Sequence, residues 1–424
     1  MPSRAELLAS AAFFQRRFRR ENHVYAELAI NQNDSHGALL DTQKNTLYCT
    51  CSFYPKPCVH AQALALLYGR EGDAVFEPAD VLPDWAAALL NGQPTRLGAT
   101  RTTDIQRAAD RTRRHADRLE RAAHGFEDLE AWLLDTLRRG LATAVSEDPA
   151  FYQTIAGRLA DASMRGLSRN LRLLEAIPVA DVDWADRTLA VLADAALALR
   201  AFQARERLPE ALLYDLEAFI GIPQKKETVL EQGETLHDTW AVAGVCEETV
   251  EAQLQVRRCW LFGARNRRFA LLLDYAFGDT EFPPGYKPGT VLEGPLAFYP
   301  SAWPQRALVP GALQTLPKLV HKLPGFDHLA DLLQAYAAAL GAQPWLPQFP
   351  AVLNQVIPFH RQNRFGLADP AGQSLPIAAA DSAGWSLLAL SGGRLLTVFG
   401  EWDGEQLRVL SVLAEGRFIM FPME

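Results

Sequence analysis

The stretch Cys49-Thr50-Cys51-Ser52-Phe53-Tyr54-Pro55-Lys56-Pro57-Cys58-Val59-His60 carries three of the chain's five cysteines and one of its nine histidines. Its spacing is C-x-C, six intervening residues, then C-x-H. Three thiolates and an imidazole complete a tetrahedral set for zinc and leave no position open for water or substrate, which marks a structural site rather than a catalytic one. Cys49 and Cys51 stand at i and i+2, so an extended backbone points both sulfurs to one side. Pro55 and Pro57 stiffen the return of the chain. Cys58 and His60 then precede an apolar run, residues 61–68, that reads as a helix. A thiolate at a helix N-terminus meets unpaired N–H groups and the positive end of the dipole, which lowers its pKa and favours metal ligation. A hairpin with one helix is too small for a core of its own, so the ion is expected to hold the unit together with roughly 10–16 kcal/mol of apparent binding energy. The expected cofactor is a structural Zn2+ on Cys49, Cys51, Cys58 and His60.

Length and composition set the frame. With 424 residues the chain has room for two or three domains. Nearly half of its residues are apolar and about a fifth charged, the balance of a soluble globular protein. No apolar run approaches the roughly 18 residues of a membrane span. The basic cluster Arg16, Arg17, Arg19 and Arg20 follows the first apolar stretch, the reverse of a secretory signal. Few cysteines, most of them clustered, suit a metal site in a reducing cytoplasm. The net charge of −8 is uneven. Through Arg70 there are eight Lys/Arg against five Asp/Glu, so the remainder carries −11 and argues against a chain devoted to coating nucleic acid.

Patterning along the chain predicts an α+β multidomain protein: a small zinc-bound hairpin–helix finger, a helical bundle and a β-rich C-terminal domain. The expected boundaries are 1–92 for the finger region, 93–124 for a charged linker or helix, 125–225 for the bundle and 230–424 for the β-rich part. Ser3 caps an expected first helix with Leu7, Leu8, Ala11, Phe14 and Phe18 on one face, and the arginine cluster at its end. Residues 23–40 read as strand and turn, with 33–37 as the turn. His23 and His36 lie near the finger, lack a partner at i+2 or i+4, and are expected at the surface. A short helix is expected to open at Pro83 and end at Asn91 and Gly92. Mixed-sign charge over 102–123 marks an exposed helix. From 126 to 222 the 3.6-residue period dominates, in Leu129, Trp132, Leu133, Leu137, Leu167, Leu171, Leu189, Leu192, Leu199 and Phe202. Strands are expected at 239–245, 251–262, 268–277, 296–299, 385–390, 395–399 and 407–413, with one helix at 326–340. Cys246 and Cys259 read as core thiols.

The C-x-C…C-x-H pattern resembles the SWIM-type zinc finger, and the resemblance extends beyond it. LEAWLLDTLRRGL at 129–141 and RLADASMRGL at 158–167 are similar to segments of one bacterial group of SWIM-finger proteins. So are Asp238-Thr239-Trp240, RCWLFG at 258–263, Phe298-Tyr299-Pro300-Ser301-Ala302, LALSGG at 388–393 and FGEWDG at 399–404. The resemblance implies a zinc-binding, non-catalytic cytoplasmic protein. It also implies a place in an assembly beside MoxR-type AAA+ ATPases and von Willebrand factor A-like proteins, whose genes neighbour this group. SWIM fingers in general are thought to bind DNA or protein.

No phosphate loop, nucleophile elbow, H-E-x-x-H or dinucleotide fingerprint is present. His321 and His328, near Asp327 and Asp331, are the nearest candidates for acid–base or metal chemistry, and a solvated helix end accounts for them equally. The expectation is a non-enzymatic interaction protein without a small-molecule substrate or a membrane association. Phe53, Tyr54 and Lys56 on the finger loop would dock a protein partner. Val59 stands where many relatives have lysine, which favours that partner over nucleic acid. The competing readings are nucleic-acid binding through Arg16–Arg20, Lys56 and the arginines of 107–121, and a hydrolase in which the finger is structural. Thiolates oxidise, so the zinc site could also sense redox state.

Overall fold

A computed structural model describes residues 9, 13–31, 34–51, 57–91, 101–147, 150–177, 182–251, 253–278, 280–379, 381–414 and 416–421. The chain divides into two units, Met1–Ala116 and Asp117–Glu424.

The first unit is built on strands β1 (Phe14–Arg20), β2 (His23–Asn31), β3 (Asp34–Asp41), β4 (Thr46–Cys49) and β5 (Glu77–Pro78), in the order β4-β3-β2-β1-β5. Strands β1 to β4 form an antiparallel meander, and β5 runs parallel to β1. Alternate residues face opposite sides. Val24, Ala26, Leu28, Ala38 and Leu40 pack against Ala63, Leu64 and Leu67 of helix α1 (Val59–Glu71). Tyr25 and Leu39 face the other way, onto Trp85 and Ala86 of helix α2 (Asp84–Leu90). A helix therefore covers each face of the sheet. The finger helix has a core after all, and the ion is not its only support.

The expected first helix is not observed over its described part, where Phe14 and the arginines lie on β1; residues 1–8 and 10–12 fall outside the description. The spacing of four from Phe14 to Phe18 fits a helix, but pairing with β2, Phe18 opposite Tyr25, makes the segment a strand, and a bulge between Phe14 and Arg16 sends the two rings to opposite faces. The expected turn at 33–37 is mostly strand too, since β3 begins at Asp34.

The charged segment lies on α3 (Arg101–Arg139), whose part in the second unit carries the buried stripe Ala122, Phe126, Leu129 and Leu133. It packs with α4 (Leu141–Glu147), α5 (Gln153–Asp161), α6 (Arg165–Arg172), α7 (Trp184–Gln203) and α8 (Glu210–Ile220) around Leu159, Met164, Leu167, Leu171, Leu199 and Phe202. Leu137 and Leu189, read as core-facing, are exposed. Helices α6 and α8 meet so closely that a Cβ on Gly166 would lie 2.1 Å from the Phe219 carbonyl oxygen. Gly221 ends α8 in the left-handed conformation at φ 100°.

After helix α9 (Lys226–Gln232) come β6 (Thr235–Glu251), β7 (Leu254–Gly263), β8 (Phe269–Phe277), β9 (Thr290–Phe298), β10 (Arg306–Leu308) and β11 (Gln314–Leu319). Strand β10 pairs with both β8 and β9, closing β6-β7-β8-β10-β9 into a ring around Trp240, Leu261, Leu292 and Phe298. Helix α10 (Leu329–Ala342) leads to a second sheet of β12 (Phe349–Arg361), β13 (Arg364–Ala368), β14 (Ser374–Pro376), β15 (Leu396–Trp402), β16 (Leu407–Ala414) and β17 (Arg417–Met420), ordered β14-β13-β12-β15-β16-β17. Residues 385–390, expected as strand, belong to helix α11 (Asp381–Ser391). Ala383 and Leu387 are its buried face, one turn apart, while Trp385 is exposed. The short apolar run alone does not distinguish these periods. Strands β10 to β14 went unassigned in the sequence, being short or, in β12, interrupted by polar residues.

Three of the stretches that carry the family resemblance, 258–263, 298–302 and 399–404, are junctions. Arg258, 7% exposed, meets the 3%-exposed Glu401 at Nε–Oε1 2.8 Å and Nη2–Oε2 3.0 Å. Trp260 Nε1 donates to the same carboxylate at 2.7 Å. Glu248 adds ion pairs to Arg258 and to Arg408, the latter at 2.8 Å, and Arg258 Nη2 lies 3.0 Å from Cys246 Sγ. RCWLFG of the ring is thus bound to FGEWDG of the second sheet. The bundle joins the β layers through Trp345, which stacks on Phe219 at 5.5 Å, and through Asp215, which accepts the Ala302 N–H at 2.8 Å.

Two outcomes follow. Breaking a buried pair leaves a charge without a partner, so Arg258→Met is expected to cost about 3–5 kcal/mol. Arg258→Met with Glu401→Leu should recover part of that loss in urea unfolding; equal losses in both variants would show that the charge is not the cause. Burial pushes the Asp215 carboxyl up to about 6, against hydrogen bonds from Ser301 and Ala302 that lower it. The folded chain then holds this proton more tightly than the unfolded one, so stability falls as pH rises from about 4 to about 6 and stays lower above that. Asp215→Asn keeps an acceptor for Ala302 and removes the charge. It should stabilise by up to about 3 kcal/mol at pH ~7.5 and by almost nothing near pH ~4, read from urea midpoints.

Candidate metal centre

Strand β4 delivers Cys49 at its end, and the bend after it turns Cys51 back. Thr50 between them fixes that bend: its N–H donates to the Gly37 carbonyl and its Oγ1 accepts the Gly37 N–H, both at 2.9 Å. The Cys51 N–H reaches Cys49 Sγ at 3.5 Å. Cys58 occupies the N-cap of α1 in extended conformation, and His60 is in the first turn. Gln62 ties the same turn down, its side chain donating to the Pro57 carbonyl at 2.7 Å.

These elements bring Cys49, Cys51, Cys58 and His60 together, all four buried, with one ligating atom from each lying within 4.8 Å of the others. Cys58 Sγ is 3.9 Å from His60 Nδ1. The hydrogen bond from Cys49 holds the Cys58 thiol well below its usual range, and His60, the Ala61 amide and Cys51 act in the same direction against burial. Cys49 moves the opposite way, through that same hydrogen bond and then burial. Of this pair, Cys58 is the sulfur favoured as the thiolate and Cys49 the one favoured as the thiol. A second and third thiolate at this separation require a cation between them. Three soft sulfurs with one imidazole fit a tetrahedral thiophilic ion and leave no open coordination position.

His36 and His23 are not plain surface residues. The His36 ring lies 5.1 Å from that of His60, a neighbour supplied by the packing of α1 on β3. His23 Nε2 is 3.8 Å from the buried Asp41. His321 contacts the Gly416 carbonyl at 3.1 Å, while His328 faces Asp369 at 4.0 Å. Asp327 accepts from Asn354, so these candidates do not converge. Among the described residues the Cys3His group is the one cluster able to hold a metal ion. Cys246 and Cys259 are buried and remote from it in sequence. Phe53, Tyr54 and Lys56 lie outside the described residues.

Residues 117–220 match the family model of the SWIM-associated four-helix bundle domain. Residues 117–220 are thus a SWIM-associated helical bundle, and the Cys3His cluster ahead of it has the donor set of a SWIM-type finger. No curated protein and no solved structure matches it. The matched segment is the bundle from the C-terminal part of α3 to α8, and the Cys3His cluster precedes it in the chain. No described helix is long and apolar enough to cross a membrane.

Cys58→Ser removes the sulfur that carries the lowered pKa. It is expected to drop bound metal from one ion per chain to almost none, measured by elemental analysis. Hydrogen exchange should accelerate over 46–51 and 57–62, while β1 to β3 keep their protection, because the sheet core is independent of the ion. Loss of protection throughout the sheet would show that the metal supports the whole unit.

Proposed function

We propose that this chain is a non-enzymatic, cytoplasmic docking protein whose Cys3His cluster holds a structural Zn2+. The observation that carries the reading is closure: four buried donors within 4.8 Å saturate a tetrahedral ion and leave none of its positions for a substrate. A saturated ion does not polarise a substrate; it makes a surface rigid. The segment between the ligands Cys51 and Cys58 carries Phe53, Tyr54 and Lys56, the aromatic and cationic residue types of docking hot spots. The partner is a protein, in keeping with an assembly that contains an AAA+ ATPase.

Nucleic-acid binding is disfavoured by how the basic residues are engaged. Arg19 pairs with Asp73, and Arg16 faces Glu27 at 3.9 Å. The exposed Arg113 and Arg114 of α3 are followed by Asp117 and Glu120 on the same helix. Carboxylates interleaved in this way blunt the field that would gather phosphates.

The test pairs two measurements on the full chain. In pull-downs from the native host, one partner should be retained by the zinc-loaded protein and released both by a chelator and by Phe53→Ser/Tyr54→Ser. On heparin the protein should pass unretained at low salt. Retention that falls steeply with added salt, together with a partner that ignores chelator and loop variants, would reverse the assignment in favour of nucleic acid.

A further inference from the structure

A cavity of about 420 Å³ opens in the wall of the ring in the second unit. Its origin is the short parallel seam between β8 and β10, which pair only at Leu271–Arg306 and Leu272–Ala307. Beyond that seam the strands supply opposite walls, Leu273, Asp274 and Tyr275 on one side and Leu308 and Val309 on the other. Cys259 and Leu272, both buried in the ring's core, form an apolar floor. Burial pushes the Cys259 thiol up to about 12, so it stays neutral there.

The roof is the segment around Pro283, Gly285 and Tyr286, and the buried Arg257 holds it. Its guanidinium donates to the Pro283 carbonyl at 2.7 Å, lies 5.0 Å from the centre of the Phe282 ring and binds Asp274 at 2.6 Å. Asp274 is the one carboxylate of the lining, and it is engaged by this cation. Two further cations line the cavity, Lys226 and Arg306. Neither has an acidic partner among the described residues. Arg306 is stacked 4.2 Å from the centre of the Tyr299 ring, which orients the guanidinium without neutralising it. Tyr275, Tyr286 and Tyr299 also line the space, and no hydrogen bond to another described residue engages their hydroxyls. In a chain of net charge −8, a concave site with two unneutralised cations, spare phenolic donors and an apolar floor is a local inversion of the protein's field. Its volume falls within the range of small-molecule sites.

We propose that this cavity binds a small oxyanion, a carboxylate or phosphate, carried on a planar or apolar body. Arg306 takes the oxyanion through the fork of donors that suits both groups, and Lys226 adds a second charge at the rim. The body rests on the Cys259–Leu272 floor beneath the Arg257-held roof. No nucleophile and base converge in the lining, so the site binds and does not turn over its ligand. It is separate in residues from the metal cluster and does not depend on the docking function proposed above.

The experiment titrates the full metal-loaded chain by calorimetry with adenosine monophosphate, phenyl phosphate and 2-naphthoate, each beside its neutral counterpart, adenosine, phenol and 2-naphthol. At least one anion should bind at one site per chain with Kd below about 1 mM, and at least tenfold tighter than its counterpart. The phosphate and carboxylate arms separate the two sources of the charge. Arg306→Gln should weaken that binding at least about tenfold and Lys226→Gln about threefold, while the exposed Arg361→Gln leaves it unchanged. Circular dichroism and melting curves confirm that each variant is folded. The proposal fails if no anion binds below about 5 mM, if neutral counterparts bind equally well, or if folded Arg306→Gln binds as tightly as the parent.

Discussion

Three sulfurs and an imidazole held within 4.8 Å impose the main constraint on the first unit. Thiols this close cannot all ionise unless a cation sits among them, so the cluster couples protonation, metal binding and local folding. Each neighbouring feature of the fold serves that convergence. The end of β4 and the start of α1 bring the two ligand pairs together, Thr50 locks the bend between Cys49 and Cys51, and the N-cap position of Cys58 favours its thiolate. The sheet beneath does not depend on the ion, because α1 and α2 bury Leu64, Leu67 and Trp85 against it. A bound ion would therefore order the ligand segments on a scaffold that already has a core.

The second unit is held by contacts of a different kind. Its ring and second sheet share a buried apolar cluster, with Trp260 and Phe262 against Val352, Phe399 and Leu410, and a few buried polar residues fix how the layers meet. The Arg258–Glu401 pair, the Trp260 bond to the same carboxylate and the Asp215–Ala302 bond are directional. Apolar packing alone would leave the layers free to slide, whereas a buried charge tolerates only the arrangement that satisfies it. The ring closes through a strand of three residues, and that short seam also leaves the cavity beside it. One topological economy accounts for both features.

Much of this was legible in the residues. The ligand set could be read because metal chemistry demands particular side chains at short, local spacings. The bundle could be read because Leu129, Leu133, Leu167 and Leu171 repeat at the helical period over long segments, where the two periods do not coincide. Legibility failed where a segment was short or where its partner lay far away in sequence. Phe14 and Phe18 fit the helical period, and only pairing with β2, with a bulge after Phe14, made their segment a strand. Trp385 to Leu390 is an apolar run whose helical state is set by packing on the second sheet. His36 looked ordinary because the strand that brings it to His60 is not visible in local spacing.

The sequence by itself determined the Cys3His donor set, the helical and β-rich character of successive segments and the uneven distribution of charge. These depend on residue identity and near-neighbour spacing, which the linear chain carries in full. Only the tertiary structure decided that the finger helix shares a sheet core, that Arg258 meets Glu401 across 143 positions, and that Lys226 and Arg306 face one cavity. Those outcomes depend on long-range pairing, whose energy is gained only when distant segments close on one another.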